Sequence, residues 1–440
     1  MRRGLALIAA TVFVANTRCT WVNDVDPCGA RPREVRVAPT TDQFELVGNP
    51  RTAARLDDGR ILVVYERTNL ADTSEVRIVV LNAQTGGRVD MCEQSSDLLL
   101  SQGYARHASV TAANFDRLGK HIVAAVAWSE GEGSATRAKY QLIAADLCPH
   151  TPAGVLLAPN VLGPTDDVSL TWSPQDAGVV ATFQNSRSIH RSVIRGEAPE
   201  AATPIADGQL VISSYQSAFA SDGRGLAAWF ASDSTSEFLS NRRRLRVLLL
   251  DRGAVARKAA ATGAATPFEL AIPTPYQAPD LVNSLSLAVR DDRYAVAWHG
   301  VTSTGARPAA WVAELDAADG RPHGGPWRVD PATGEGHGRP AAAYLPGDNL
   351  LVAWLSPGGA GTVARLYQSG GRPRFTGITC DESRFKVGVR APNENRGTPS
   401  LLVAGPDVWI FHPGEPSDDQ FGNAAMGWWL PYSELWPSGG

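Results

Sequence analysis

Arg51, Arg106 and Arg339 each stand just ahead of a short apolar, strand-forming run. A guanidinium is a planar fork of donors that matches a carboxylate. Brought to one mouth, three of them form a cluster for an acidic group; kept apart, they cap or solvate strand starts. Arg242-Arg243-Arg244 and Arg246 form a basic run, read either as a site for an anionic polymer or as a solvated hairpin. The eight histidines show no metal-ligand spacing. Asp24, Asp26 and the Asp-rich turns lack calcium-loop spacing and fit turn chemistry better. No Gly-x-Ser-x-Gly elbow or phosphate loop occurs. Gly334-x-Gly336-x-Gly338 precedes a β segment, the wrong context for a dinucleotide, so no cofactor is expected.

Five cysteines remain: Cys19, Cys28, Cys92, Cys148 and Cys380. Arg2 and Arg3 precede an apolar run from Leu5 to Ala15, the charge order of a secretory signal peptide and too short to cross a bilayer. Residues 1–18 are therefore read as a signal peptide and 19–32 as a linker. The mature chain is placed outside the cytoplasm, where disulfides form. Cys19 stands where a lipoprotein carries its lipid, but Arg18 fits that signal poorly. If Cys19 is lipidated, Cys28–Cys380 and Cys92–Cys148 can pair; otherwise Cys19–Cys28 is an easy local bridge and one thiol is left over.

The bulk composition is that of a globular chain. Hydrophobic residues make up 43%, charged residues 20%, and the net charge is −4. That balance argues against nucleic acid or an anionic membrane as partner. With 42 Gly and 30 Pro, long helices have little room and short strands are favoured.

These strands recur in a pattern. An extended segment, a Gly or Asp turn and an apolar strand ending in an aromatic appear at 50–65, 120–128, 176–183, 215–229, 283–298, 339–354 and 398–411. The aromatics are Tyr65, Trp128, Phe183, Trp229, Trp298, Trp354 and Phe411, spaced by 63, 55, 46, 69, 56 and 57 residues. Runs such as Ile61-Leu62-Val63-Val64 need cover on both faces. Four strands per unit, repeated at this period, predict an all-β fold: a single β-propeller with seven four-stranded blades over residues 33–431, followed by a tail at 432–440. Pro326–Pro331 leads into the sixth copy, and Glu34–Pro39 leads into the first in the same way with no blade of its own before it. Residues 33–38 are thus expected to complete the last blade and remove an open edge. The twelve tryptophans are mostly anchors; Trp428, Trp429 and Trp436 are read as blade packing or a sugar-stacking surface.

The repeat resembles Pro-x-x-Ala-x-Leu-x-Asp-Gly-x-x-Val-Val-x-Trp copies in large secreted bacterial proteins, which implies a propeller and export. The opening copy, Arg51 through Leu56-Asp57-Asp58-Gly59 to Tyr65-Glu66-Arg67 and Asp72, resembles the first blade of sialidases. That resemblance implies that Arg51 binds a substrate carboxylate and Asp72 acts as general acid, in a family that uses a Tyr nucleophile. The resulting expectation is an exported, monomeric binding module for a protein or glycan at the cell envelope. It has no transmembrane segment and carries a possible lipid anchor. A sialidase-like glycoside hydrolase and a purely structural envelope protein are the alternatives.

Overall fold

The computed structural model describes residues 33–38, 44–46, 51–68, 74–92, 95–101, 103–156, 165–185, 187–196, 198–207, 211–232, 234, 243–257, 267–272, 276–277, 285–302, 309–329, 339–356, 361–368, 372–373, 384–387, 398–414 and 424–431. Their strands form seven antiparallel sheets, the blades of one β-propeller. Blade one runs from Phe44–Leu46 to Leu98–Ser101, blade two from Ala105–Arg117 to Pro149–Leu156, and blade three from Asp166–Ser173 to Thr203–Ala206. Blade four spans Val211–Phe219 to Phe268–Leu270, blade five Tyr276–Gln277 to Pro322–Arg328, and blade six Pro340–Leu345 to Arg384–Val387. In blades one, four, five and six an inner or outer strand is broken into two pieces that pair with the same neighbour.

The second strand of each blade explains the architecture. Gly178–Asn185 and Gly225–Ser232 are buried at every residue, so both faces are covered. A sheet stacked between two others meets that demand. Seven apolar clusters result, each filled by adjacent blades; Leu62, Val64 and Val80 of blade one pack with Val126, Trp128 and Ile143 of blade two. All seven anchor aromatics are fully buried.

Blade seven consists of Ser400–Ala404, Asp407–Gly414, Ala424–Pro431 and, outermost, Arg33–Arg36. The closing strand runs antiparallel to Ala424–Pro431 with Arg33 opposite Trp429 and Arg36 opposite Met426. The Arg33 guanidinium lies 4.4 Å from the Trp429 ring centre. Gly86, in the turn before the outer strand of blade one, has φ +70°, and a Cβ there would strike Val35 of the closing strand. Trp428 and Trp429 are buried, which makes them blade packing and no sugar platform. Trp436 lies outside the described residues.

Cys92 and Cys148 form a disulfide with Cα atoms 4.9 Å apart, joining the outer region of blade one to the turn before the outer strand of blade two. Cys19, Cys28 and Cys380 lie outside the described residues. Arg242 lies outside the described residues; Arg243 is buried, and Arg244, exposed with its Nη1 3.3 Å from Glu269, opens the third strand of blade four, Arg244–Asp251, which pairs antiparallel with the strand before it. Among the described residues, no helix is long and apolar enough to cross a membrane.

Candidate binding mouth

The inner strands do not run straight through the ring. In blade two the register slips between Arg106 and Ser109, in blade three between Asp166 and Ser169, and in blade four between Ser213 and Gln216. Each slip places one non-glycine residue in the left-handed region: His107 at φ +56°, Asp167 at +48° and Ser214 at +51°. Such residues cost about 1–3 kcal/mol each and collect where a site needs a side chain re-aimed. In blade one the inner strand is broken between Phe44–Leu46 and Ala53–Arg55, and Arg51 sits at that break. The Arg51 carbonyl accepts the Val110 N–H (3.0 Å) from blade two, and the Thr52 N–H donates to Ser400 Oγ (3.2 Å) in blade seven.

The re-aimed residues meet others from the second strands. Glu66, directly after the anchor Tyr65, is buried, and its Oε1 accepts the Ala108 N–H at 3.1 Å. Burial pushes its carboxyl above the usual range, opposed by the charge of His107, the main-chain donors of Ala108 and His107, and the charge of Arg106. His107 Nδ1 lies 3.2 Å from Asp167 Oδ1, and Gln184 Nε2 donates to Asp167 Oδ2 at 2.8 Å. Arg339, arriving from blade six, is lowered by desolvation and sustained by the charge of Glu66.

Arg51 meets a different partner. It keeps some accessible surface, yet enclosure pushes its guanidinium down to about 10, with Tyr215 acting the other way. Tyr215, on the inner strand of blade four, is fully buried, which pushes its phenol up to about 12; the Thr182 and Ser217 hydroxyls and the charge of Arg51 act the other way. Thr182 Oγ1 and Ser217 Oγ are 2.6 Å apart. Thr182 and Gln184 share one strand of blade three, one side chain meeting Ser217 of blade four and the other Asp167.

Two of the three arginines named from sequence, Arg106 and Arg339, thus bear on Glu66, and Arg51 on Tyr215. Asp72 lies outside the described residues. The sequence reading missed Glu66 as a central group, His107, Asp167 and Tyr215. Glu66 appeared in the Tyr65-Glu66-Arg67 stretch of the opening copy without a role, and His107 and Asp167 depend on strand slips that no residue pattern marks. Among the described residues, no group of three His, Cys, Asp or Glu could hold a metal ion. A cavity of about 590 Å³ lies along the inner strands, lined by Arg51 together with Arg55, Thr111, Trp172 and Phe219 among others.

No protein-family model matches the chain, and no curated protein matches it. Solved structures do share the fold. The polysaccharide lyase Uly1 superposes with a TM-score of 0.54 at 8% identity, over 91% of this chain and 99% of that one. A PL25 ulvan lyase gives 0.52 at 10% identity, over 91% and 96%. The same enzyme bound to -[GlcA(1-4)Rha3S]- gives 0.51 at 9%, over 91% and 96%. At such identities the likeness shows the propeller fold.

Proposed function

We propose that this propeller works outside the cytoplasm and binds an acidic glycan at the mouth where the inner strands of blades one and two and the start of blade six meet. The observation that carries this reading is that the buried Glu66 of blade one takes the Ala108 N–H of blade two at 3.1 Å and feels the charges of Arg106, from blade two, and Arg339, from the start of blade six. Arg339 is kept where desolvation opposes its charge, near a carboxyl raised by burial, and such groups cluster at functional sites. Guanidinium forks suit carboxylate or sulfate. Two of the fold's neighbours are lyases of polysaccharides, which supports a glycan as the ligand class. The Cys92–Cys148 bridge is consistent with an oxidising compartment.

The sialidase alternative is less well supported. Its chemistry needs an activated tyrosine, and Tyr215 beside Arg51 is enclosed with its phenol pushed up to about 12, the opposite of activation. The deciding experiment is calorimetric titration of the protein with polygalacturonate, ulvan and a neutral glucan. Binding of the acidic polymers that weakens with salt supports the reading. Equal binding of the neutral glucan, or none of any polymer, overturns it.

A further inference from the structure

We infer that the space between the inner strands is a second binding site, for a small organic anion with an aromatic body. Its carboxylate meets Arg55, and its ring lies against Trp172 and Phe219. The site is distinct from the glycan mouth and does not depend on it.

The cavity of about 590 Å³ supplies the place. Sites for small molecules run from about 300 to 1,000 Å³. Inner strands of blades one, two, three, four and seven all contribute to its wall. The wall also includes Pro174 and Gly223, in the turns that join the first and second strands of blades three and four. The cavity therefore extends toward the hairpin-turn end of the inner strands. Arg106 and Arg339 stand at the other end, where the inner strands of blades two and six begin.

The charges of the wall favour an anion. Among its described residues, Arg51 and Arg55 are charged and no carboxylate joins them. Asp407 feels the Arg55 charge but is not part of the wall. An enclosed space lined by one sign of charge concentrates ions of the other sign. Arg51 lies at the entry of its strand and is enclosed; Arg55 lies further along and is exposed. The Arg55 guanidinium packs beside Gly405 of blade seven, where a Cβ would come within 2.9 Å of Nη1. A fork placed there matches both oxygens of a carboxylate.

The rest of the wall favours an aromatic body. Trp172 is half-buried and stacks on Phe115, with ring centres 5.6 Å apart and planes 10° from parallel. Its main-chain N–H donates to Thr111 Oγ1 at 3.2 Å, which ties it to blade two. Phe219 is half-buried at the end of the inner strand of blade four. Rings of this kind gain from stacked and edge-on contact with another ring. Hydroxyls in the wall are few and engaged. Thr111 Oγ1 also donates to the Ala112 carbonyl (3.1 Å), and Ser221 Oγ donates to Asp291 Oδ1 (2.8 Å). A sugar ring would leave many of its own hydroxyls unmet against such a surface, which costs affinity. An aromatic acid has one polar end, and Arg55 meets it.

The test is titration calorimetry of the full chain with naphthylacetate, naphthylacetamide and glucuronate. Naphthylacetate should bind, with the amide and the sugar acid each at least about tenfold weaker. Arg55→Gln should weaken naphthylacetate about tenfold and leave the amide unchanged. Arg55 is exposed, so that variant should keep the wild-type unfolding midpoint. Phe219→Ala should weaken acid and amide alike. Arg339→Ala should change neither. Failure of naphthylacetate to bind, or equal binding of the amide or of glucuronate, overturns the inference. So does a loss in Arg339→Ala as large as that in Arg55→Gln, which would put the acid in the glycan mouth. None of these outcomes requires an acidic polymer to bind, so either reading can fail alone.

Discussion

Glu66 of blade one and Ala108 of blade two are joined by a 3.1 Å hydrogen bond, a main-chain N–H donating to a buried carboxyl across a blade seam. Burial raises that carboxyl above its ordinary value of 4.5. The folded state therefore holds the proton more tightly than the unfolded chain does. Its contribution to stability is fully present below pH 4.5 and is lost as pH rises through the raised folded value. Glu66→Gln keeps an acceptor for Ala108 and removes the titration. Denaturant melts of the two proteins from pH 4 upward should show a flatter stability profile for the variant. Parallel profiles would refute the assignment.

Arg339, at the start of blade six, is lowered by desolvation and sustained by the charge of the same carboxyl. Arg339→Ala should weaken binding of an acidic glycan about tenfold or more, equivalent to about 1.4 kcal/mol. Arg339→Lys should recover only part of the loss, because an ammonium lacks the two-pronged geometry. Titration calorimetry at fixed ionic strength distinguishes the three proteins.

The Cys92–Cys148 bridge spans 56 residues. Loop-closure entropy for that length corresponds to about 4 kcal/mol. Reduction, or the paired Cys92→Ala and Cys148→Ala substitutions, should lower the unfolding midpoint accordingly. An unchanged midpoint would show that the seam between blades one and two holds without it.

Trp354 is fully buried in the cluster shared by blades five and six. Trp354→Ala should cost about 3–5 kcal/mol, measured by chemical denaturation. A loss below about 1 kcal/mol would mean the surroundings collapse to fill the space.

The blades were legible because each second strand must be apolar on both faces and ends in an aromatic. The seven residues picked out by that rule, from Tyr65 to Phe411, are all buried at the seams. The closing strand was legible because Glu34–Pro39 leads into a blade without following one. The site was legible only in part. Arg51, Arg106 and Arg339 were marked by standing at strand starts, a matter of position. The His107–Asp167 contact arises from slips in two separate strands, and its partners are 60 residues apart on different blades. Inner-strand serines show a weak signal that went unread. Ser109 donates to the Val168 carbonyl (2.8 Å), Ser169 accepts from the Ser217 N–H (3.2 Å) and Ser286 from the Ala342 N–H (3.1 Å), each crossing to the next blade.

The pairing of Arg33–Arg36 with Ala424–Pro431 sets an order of events. A ribosome makes the first of these strands nearly 400 residues before its partner exists. Until blade seven is made, the first blade lacks its neighbour on that side, and the surface that includes Ile61, Val63 and Tyr65 lacks the cover of Trp409, Phe411 and Trp429. A product truncated before Ala424 could make every earlier blade and still be unable to shut the ring. Closure of the ring thus waits on the synthesis of Ala424–Pro431.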